Sequence, residues 1–302
     1  MIPRRRVPPR PSLYPKPERL PWREKMTLCL AAEFMRDGES GVIAAYDMNA
    51  ENEWVGADIQ HKGYFLLDDF FFMMAGSISR AIELARCCEN VISERQTKGD
   101  ETLESLQEAV VMQKRKLAAE YVGMRLGMSY EEFFDTGKEK LPEEIFREII
   151  TDIKGIGLGC SLLVIDFSIS SPTIFRVSDT CVERCSNFAA IGTGLLIAES
   201  LLFLREHNFA TDVGEALFNA WEAMRLGSLV PGVGETFNID VLSRKNGKVR
   251  SEELTEEHEK YLEKQVTRFS LREPKKIQFK KDDLRPTQYL QYPPRAKSAK
   301  AK

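Results

Sequence analysis

The sequence is short of histidine, cysteine, long apolar runs and, over most of its length, proline. Its three histidines, His61, His207 and His258, are scattered. Cys181 and Cys185 therefore have no histidine pair at ligand spacing, and a zinc site is not expected. Six cysteines in 302 residues do not make a disulfide framework, so they read as reduced thiols. No run of about 18 apolar residues is present to span a membrane, and the basic N-terminus lacks the apolar stretch of a secretion signal. Gly192-Thr193-Gly194 lacks the further glycine or lysine of a nucleotide-binding loop. These absences point to a cytoplasmic, soluble protein with no membrane partner and neither a metal nor an organic cofactor.

Charge divides the chain into three. Residues 1–25 hold eight Lys/Arg against two acids, and residues 274–302 hold nine against two. That leaves 26 basic and 42 acidic residues for the part between, within a chain of net charge −3. Seven of the 14 prolines fall in the first segment and four in the last. An acidic, proline-poor body thus carries two basic, proline-rich tails, 1–26 and 274–302, both expected to be disordered. The body is large enough to bury a core without staples. Its acidity argues against nucleic acid as a main partner.

Short apolar runs at 27–34 and 41–47, joined by a polar turn, read as a hairpin. Strands continue at 54–59, 63–67 and 70–75. Helical spacing follows from Ser77 and again over about 103–126, then two short helices open at Ser129 and Pro142. Strands return at 160–167, 173–177 and 181–188. Helices then run to about 206 and from Asp212 to 226, a last strand covers 237–242, and 246–273 is read as a helical segment. Two antiparallel sheets stacked face to face, each covered by helices on its outer side, account for this order. The fold class is α+β, a four-layer αββα sandwich.

Met26-Thr27 stands at the start of the first strand. With Met26 removed, Thr27 would carry a hydroxyl and a free α-amine, and an amine with a pKa of about 8 can take the hydroxyl proton near neutral pH. Four further pieces follow in order: GVIAAYD ending in Asp47, Lys62 entering a strand, Met74-Ala75-Gly76 before the first helix, and AIGTG at 190–194 before a later one. Asp47 to Lys62 and Lys62 to Gly76 are 15 and 14 positions apart. Taken singly, Asp47 also reads as a turn residue, Lys62 as a solvated strand-end charge and Gly76 as a turn glycine.

With these pieces the chain resembles, over about 27–245, the proteasome-type β subunits of the N-terminal nucleophile hydrolases. The resemblance implies a threonine peptidase that cleaves peptides or unfolded proteins inside homo-oligomeric rings fed by an ATPase unfoldase. It gives Thr27 Oγ as nucleophile and Lys62 as the ammonium beside it. Asp47 orients Lys62, the Gly76 N–H stabilises the oxyanion, and Thr193 takes the place of a family serine near the amine. Met74 would line the primary specificity pocket and favour apolar or medium-sized side chains. The chain departs from the family after the fourth helix, where Leu226 stands at an aspartate position with Ser228 as a displaced serine, and at 129–157, which is longer than usual.

Residues 1–26 would block the Thr27 amine, so either they are a propeptide or translation begins at Met26. Two rivals stay open: an inactive proteasome-like ring or scaffold subunit, and a small-amide hydrolase of the same superfamily.

Overall fold

A computed structural model describes residues 27–48 and 62–269. The expected extension 1–26, strand 54–59 and basic tail 274–302 lie outside the described residues. The chain separates into two units, Met1–Glu259 and Lys260–Lys302. The first is mixed α+β, with two antiparallel five-stranded sheets. The described part of the second continues a helix that begins at Glu256.

The first sheet has the order β10-β9-β2-β1-β8, built from β1 (Leu28–Arg36), β2 (Glu39–Asp47), β8 (Phe188–Gly192), β9 (Phe237–Lys245) and β10 (Lys248–Glu253). β1 and β2 meet at Asp37-Gly38, both at positive φ (52° and 84°). A two-residue loop of this kind matches the right-handed twist of the strands it joins. The second sheet has the order β3-β4-β5-β6-β7: β3 (Gly63–Leu67), β4 (Phe70–Gly76), β5 (Cys160–Asp166), β6 (Thr173–Val177) and β7 (Val182–Cys185).

β4 explains why its sequence shows no polar alternation. Phe71, Met73 and Ala75 face the first sheet, in a cluster with Cys29, Ala31, Val42, Leu163 and Ile191. Phe70, Phe72 and Met74 point the other way, to Leu84, Cys88 and Leu106 on α1 (Ile78–Arg95) and α2 (Glu101–Leu126). Successive side chains alternate faces, and here both faces are buried. α5 (Leu195–Leu204) packs on β8 and β1, and α6 (Val213–Gly227) on β1 and β2.

Between the second helix and β5 stand α3 (Tyr130–Lys140) and α4 (Glu143–Lys154). Ser129 Oγ accepts from Glu132 N at 3.0 Å, which caps α3 as its sequence suggests. Val122, Phe133 and Ile149 give these helices a small core of their own. No helix among the described residues is long and apolar enough to cross a membrane.

Two expectations are corrected. The single strand at 181–188 is two strands, one in each sheet. The chain changes sheet at Ser186-Asn187, where Asn187 has φ 68° and its carbonyl accepts from Glu33 N at 2.7 Å. The strand at 237–242 is longer and is not the last, because Asn246-Gly247 (φ 55° and 77°) turns it back into β10. The helix α7 begins only at Glu256.

Glu33 gives the fold a pH dependence. It lies on the same side of β1 as Cys29 and Ala31. Burial pushes its carboxyl up from 4.5 to about 7, against the pull of Arg184. A raised folded-state pKa means that its contribution is full below the unfolded value and lost as pH rises through the folded one. Glu33→Gln is therefore expected to raise the unfolding free energy at pH 8 by about 1–2 kcal/mol after allowance for solvent screening, and not at pH 4. Denaturant titration at the two pH values checks this; an equal effect at both contradicts it.

Candidate active site

The ends of β1 and β2 meet because the two strands are antiparallel, with Cys29 opposite Tyr46. That register sets Asp47 beside the start of β1, where its Oδ1 accepts from Leu28 N at 3.2 Å. Lys62 comes from the other sheet. Its carbonyl accepts from Met74 N at 3.1 Å, which ties the approach to β3 against β4. Its ammonium reaches across, 2.7 Å from Asp47 Oδ1 and 3.3 Å from Thr27 Oγ1. All three side chains are buried: Thr27 is 6% exposed, Lys62 3% and Asp47 0%.

Two buried charges are stable only when paired and hydrogen-bonded. Asp47 meets this condition on both oxygens. Oδ1 takes Lys62 and Leu28 N, and Oδ2 accepts from Gly234 N at 3.3 Å. The carboxylate is thus held by three donors and in turn holds the ammonium against the Thr27 hydroxyl. A cation at that distance favours the deprotonated hydroxyl, and burial strengthens the effect. The neighbouring Cys29 is no competing nucleophile. Burial, with Asp47 adding to it, pushes its thiol far up, and Sγ donates to Met74 O at 3.2 Å.

Gly76 ends β4 opposite Cys160, with φ +89°. A Cβ there would lie 2.7 Å from Gly159 O, so the turn into α1 admits only glycine. Gly192 is tighter still. Its φ is +91°, and a Cβ would lie 1.9 Å from Thr27 O. The close approach presses the end of β8 against the start of β1. Leu28 pairs with Gly192, so the next residues outward along these strands are Thr27 and Thr193. Gly192→Ala is expected to cost about 3 kcal/mol or more, the sum of backbone strain and overpacking, and to displace Thr27. Thermal unfolding checks the first effect; a variant as stable as the parent contradicts the packing described.

The structure therefore joins Thr27, Asp47 and Lys62 directly and sets Thr193 next to Thr27 through the β1–β8 register, while Gly76 stands on β4 two positions beyond Met74, whose N–H donates to Lys62 O. Met74 does not line a pocket as expected: alternation along β4 turns its side chain into the buried helix-facing cluster, with Tyr64 Oη donating to its sulfur at 3.2 Å. Ser228 is not aimed at the threonine. Its hydroxyl donates to Arg225 O at 2.8 Å and closes α6. His207 serves the fold: its Nε2 donates to Glu33 O at 2.8 Å, and burial lowers its pKa.

Gly234 and Gly227 were not legible as site residues. Gly227 touches Leu28 so closely that a Cβ would lie 2.2 Å from Leu28 Cδ2. Their only sequence signal is the glycine-rich stretch Gly227 to Gly234 at the end of α6. No protein family matches the chain, and no curated protein does either.

Proposed function

We propose that the chain is a threonine-type peptidase of the proteasome-like N-terminal nucleophile kind, with an αββα sandwich of that type as its scaffold. The observation that carries this is the Lys62 ammonium held between Asp47 and the hydroxyl of the threonine immediately before β1.

In this mechanism the Thr27 α-amine, once free, takes the hydroxyl proton, and Oγ attacks the peptide carbonyl carbon. Lys62 stabilises the oxygen that is losing its proton, and the Gly76 N–H the oxyanion that forms. The amine returns the proton to the leaving nitrogen as the C–N bond breaks, leaving an ester on Thr27. A water molecule, deprotonated by the same amine, then hydrolyses the ester and restores the hydroxyl. The substrate is a peptide or unfolded protein. Homo-oligomeric rings, an ATPase unfoldase and a cytoplasmic site belong to the same proposal.

An inactive ring or scaffold subunit is the second reading. It is favoured by Leu226 at the aspartate position and by the engagement of the Ser228 hydroxyl with Arg225. The two separate on one comparison. Protein released so that it begins at Thr27 is expected to hydrolyse fluorogenic peptides, and the full 302-residue chain is not. Inactivity of both supports the scaffold; equal activity of both points to a nucleophile other than Thr27.

A further inference from the structure

Two residues beside the candidate site make contacts that the chemistry above does not use. Tyr46 precedes Asp47 on β2, and Gly63 follows Lys62 at the start of β3. Asp47 and Lys62 meet through their side chains, and the residues next to them meet through packing. A Cβ on Gly63 would lie 2.6 Å from Tyr46 Cε1 and 2.7 Å from Phe71 Cζ, so the backbone next to Lys62 is wedged between two rings. Such an approach requires glycine.

The Tyr46 ring is anchored at the end that meets Gly63, because Cε1 is bonded to the carbon that bears the hydroxyl. That hydroxyl donates to Asp240 Oδ2 at 2.9 Å, and Ser251 Oγ donates to Asp240 Oδ1 at 2.6 Å. Asp240 lies on β9 and Ser251 on β10, the edge strand of the first sheet. A line of bonds thus runs from that edge inward to the root of Lys62. Tyr46 is 2% exposed, in the cluster between the sheets with Cys29 and Phe71, and Asp240 is 8% exposed. A buried hydroxyl and a buried carboxylate are costly unless they bond each other, and bonding fixes one orientation of the ring. Phenylalanine would fill the same space without that constraint.

The constraint matters because lysine is a charge on a flexible four-carbon stem. Asp47 holds the head of Lys62, while the Met74 N–H on its carbonyl and the Tyr46 ring on Gly63 hold its root. We propose that Tyr46, anchored by Asp240, is a positioning residue that keeps the Lys62 ammonium 3.3 Å from Thr27 Oγ1. The proposal rests on the peptidase reading of that site. A displacement of about 1 Å is enough to cost on the order of 10²-fold in rate. A retreating ammonium also ceases to favour the neutral Thr27 amine, whose pKa then rises toward about 8. The amine must be unprotonated to act, so the acid limb of kcat/KM moves to higher pH.

Kinetics and crystal structures of protein beginning at Thr27 test this. Tyr46→Phe and Asp240→Leu are each expected to lower kcat by about 10- to 100-fold, to leave KM within about twofold, and to raise the acid limb. Asp240→Asn, whose amide still bonds the Tyr46 hydroxyl, is expected to keep kcat within about threefold of the parent. Val122→Ala, which loosens the small core of α3 and α4, is expected to lower stability with neither kinetic effect. The crystal structures are independent of turnover. In Tyr46→Phe and Asp240→Leu the ammonium is expected to lie beyond hydrogen-bond reach of Thr27 Oγ1, and in Asp240→Asn within it. If the parent hydrolyses no peptide, the peptidase reading fails, and the crystal structures alone decide whether Tyr46 positions Lys62. An ammonium that stays in place without the Tyr46 hydroxyl, an acid limb that does not move, or a fall in kcat that Val122→Ala shares each overturn the proposal.

Discussion

Lys62→Met is expected to lower the melting temperature by about 10 °C and to abolish peptide hydrolysis, and adding Asp47→Asn to recover part of the first and none of the second. The stability effect follows from burial. The 2.7 Å pair is almost wholly removed from solvent. Deleting the cation leaves the carboxylate uncompensated, at a cost of about 3–5 kcal/mol. In a domain of this size each kcal/mol is worth roughly 2–4 °C. Methionine keeps most of the lysine's apolar stem, so packing changes little. Asparagine then removes the stranded charge and keeps an oxygen for one of the two N–H groups, Leu28 or Gly234, which donate to different oxygens of the carboxylate. Activity stays lost, because nothing replaces the ammonium 3.3 Å from Thr27 Oγ1. A double variant as unstable as the single one contradicts the energetic role of the pair. A double variant that hydrolyses peptides contradicts the catalytic role of Lys62.

Thr27→Ala, in protein beginning at residue 27, is expected to reduce kcat by on the order of 10⁴-fold or more, as loss of a nucleophile does elsewhere. Its stability should fall by only about 1 kcal/mol, the worth of one hydrogen bond to Lys62. Thr27→Ser keeps the hydroxyl and the amine and is expected to retain activity within about tenfold. Peptide hydrolysis and thermal unfolding, measured on the same preparations, separate the two effects. An alanine variant that still turns over peptides at the parental rate places the nucleophile elsewhere.

Much of the fold was legible because its elements announce themselves locally. The helices have capped starts at Ser129 and Asp212, and the side chains of both accept backbone N–H groups. The buried strands are short apolar runs between turns. Where sequence and structure differ, one or two left-handed residues decided the topology. Asn187 divides one expected strand between two sheets, and Asn246-Gly247 folds back a strand that composition alone assigned to a helical segment. Asn-Gly between polar strands carries a strong hairpin signal, but β10 is exposed along most of its length and shows no apolar alternation.

The site was legible in part for a related reason. Thr27 suggested its role through its own hydroxyl and amine, whereas the roles of Asp47 and Lys62 came only with the resemblance to proteasome-type β subunits. Gly234, Gly192 and Gly227 act through a backbone N–H or through the absence of a Cβ. Such contributions depend on which segments approach one another, and Gly234 lies 187 positions from the carboxylate it supports.

The most direct test of Thr27 as nucleophile is the intact mass of the natively produced protein before and after treatment with a β-lactone. Opening of the lactone by Oγ adds the whole reagent and leaves an ester. The expected result is a chain that begins at Thr27 and gains one reagent mass, with the adduct located on Thr27. A mature chain that keeps residues 1–26, or an adduct on any other residue, contradicts it.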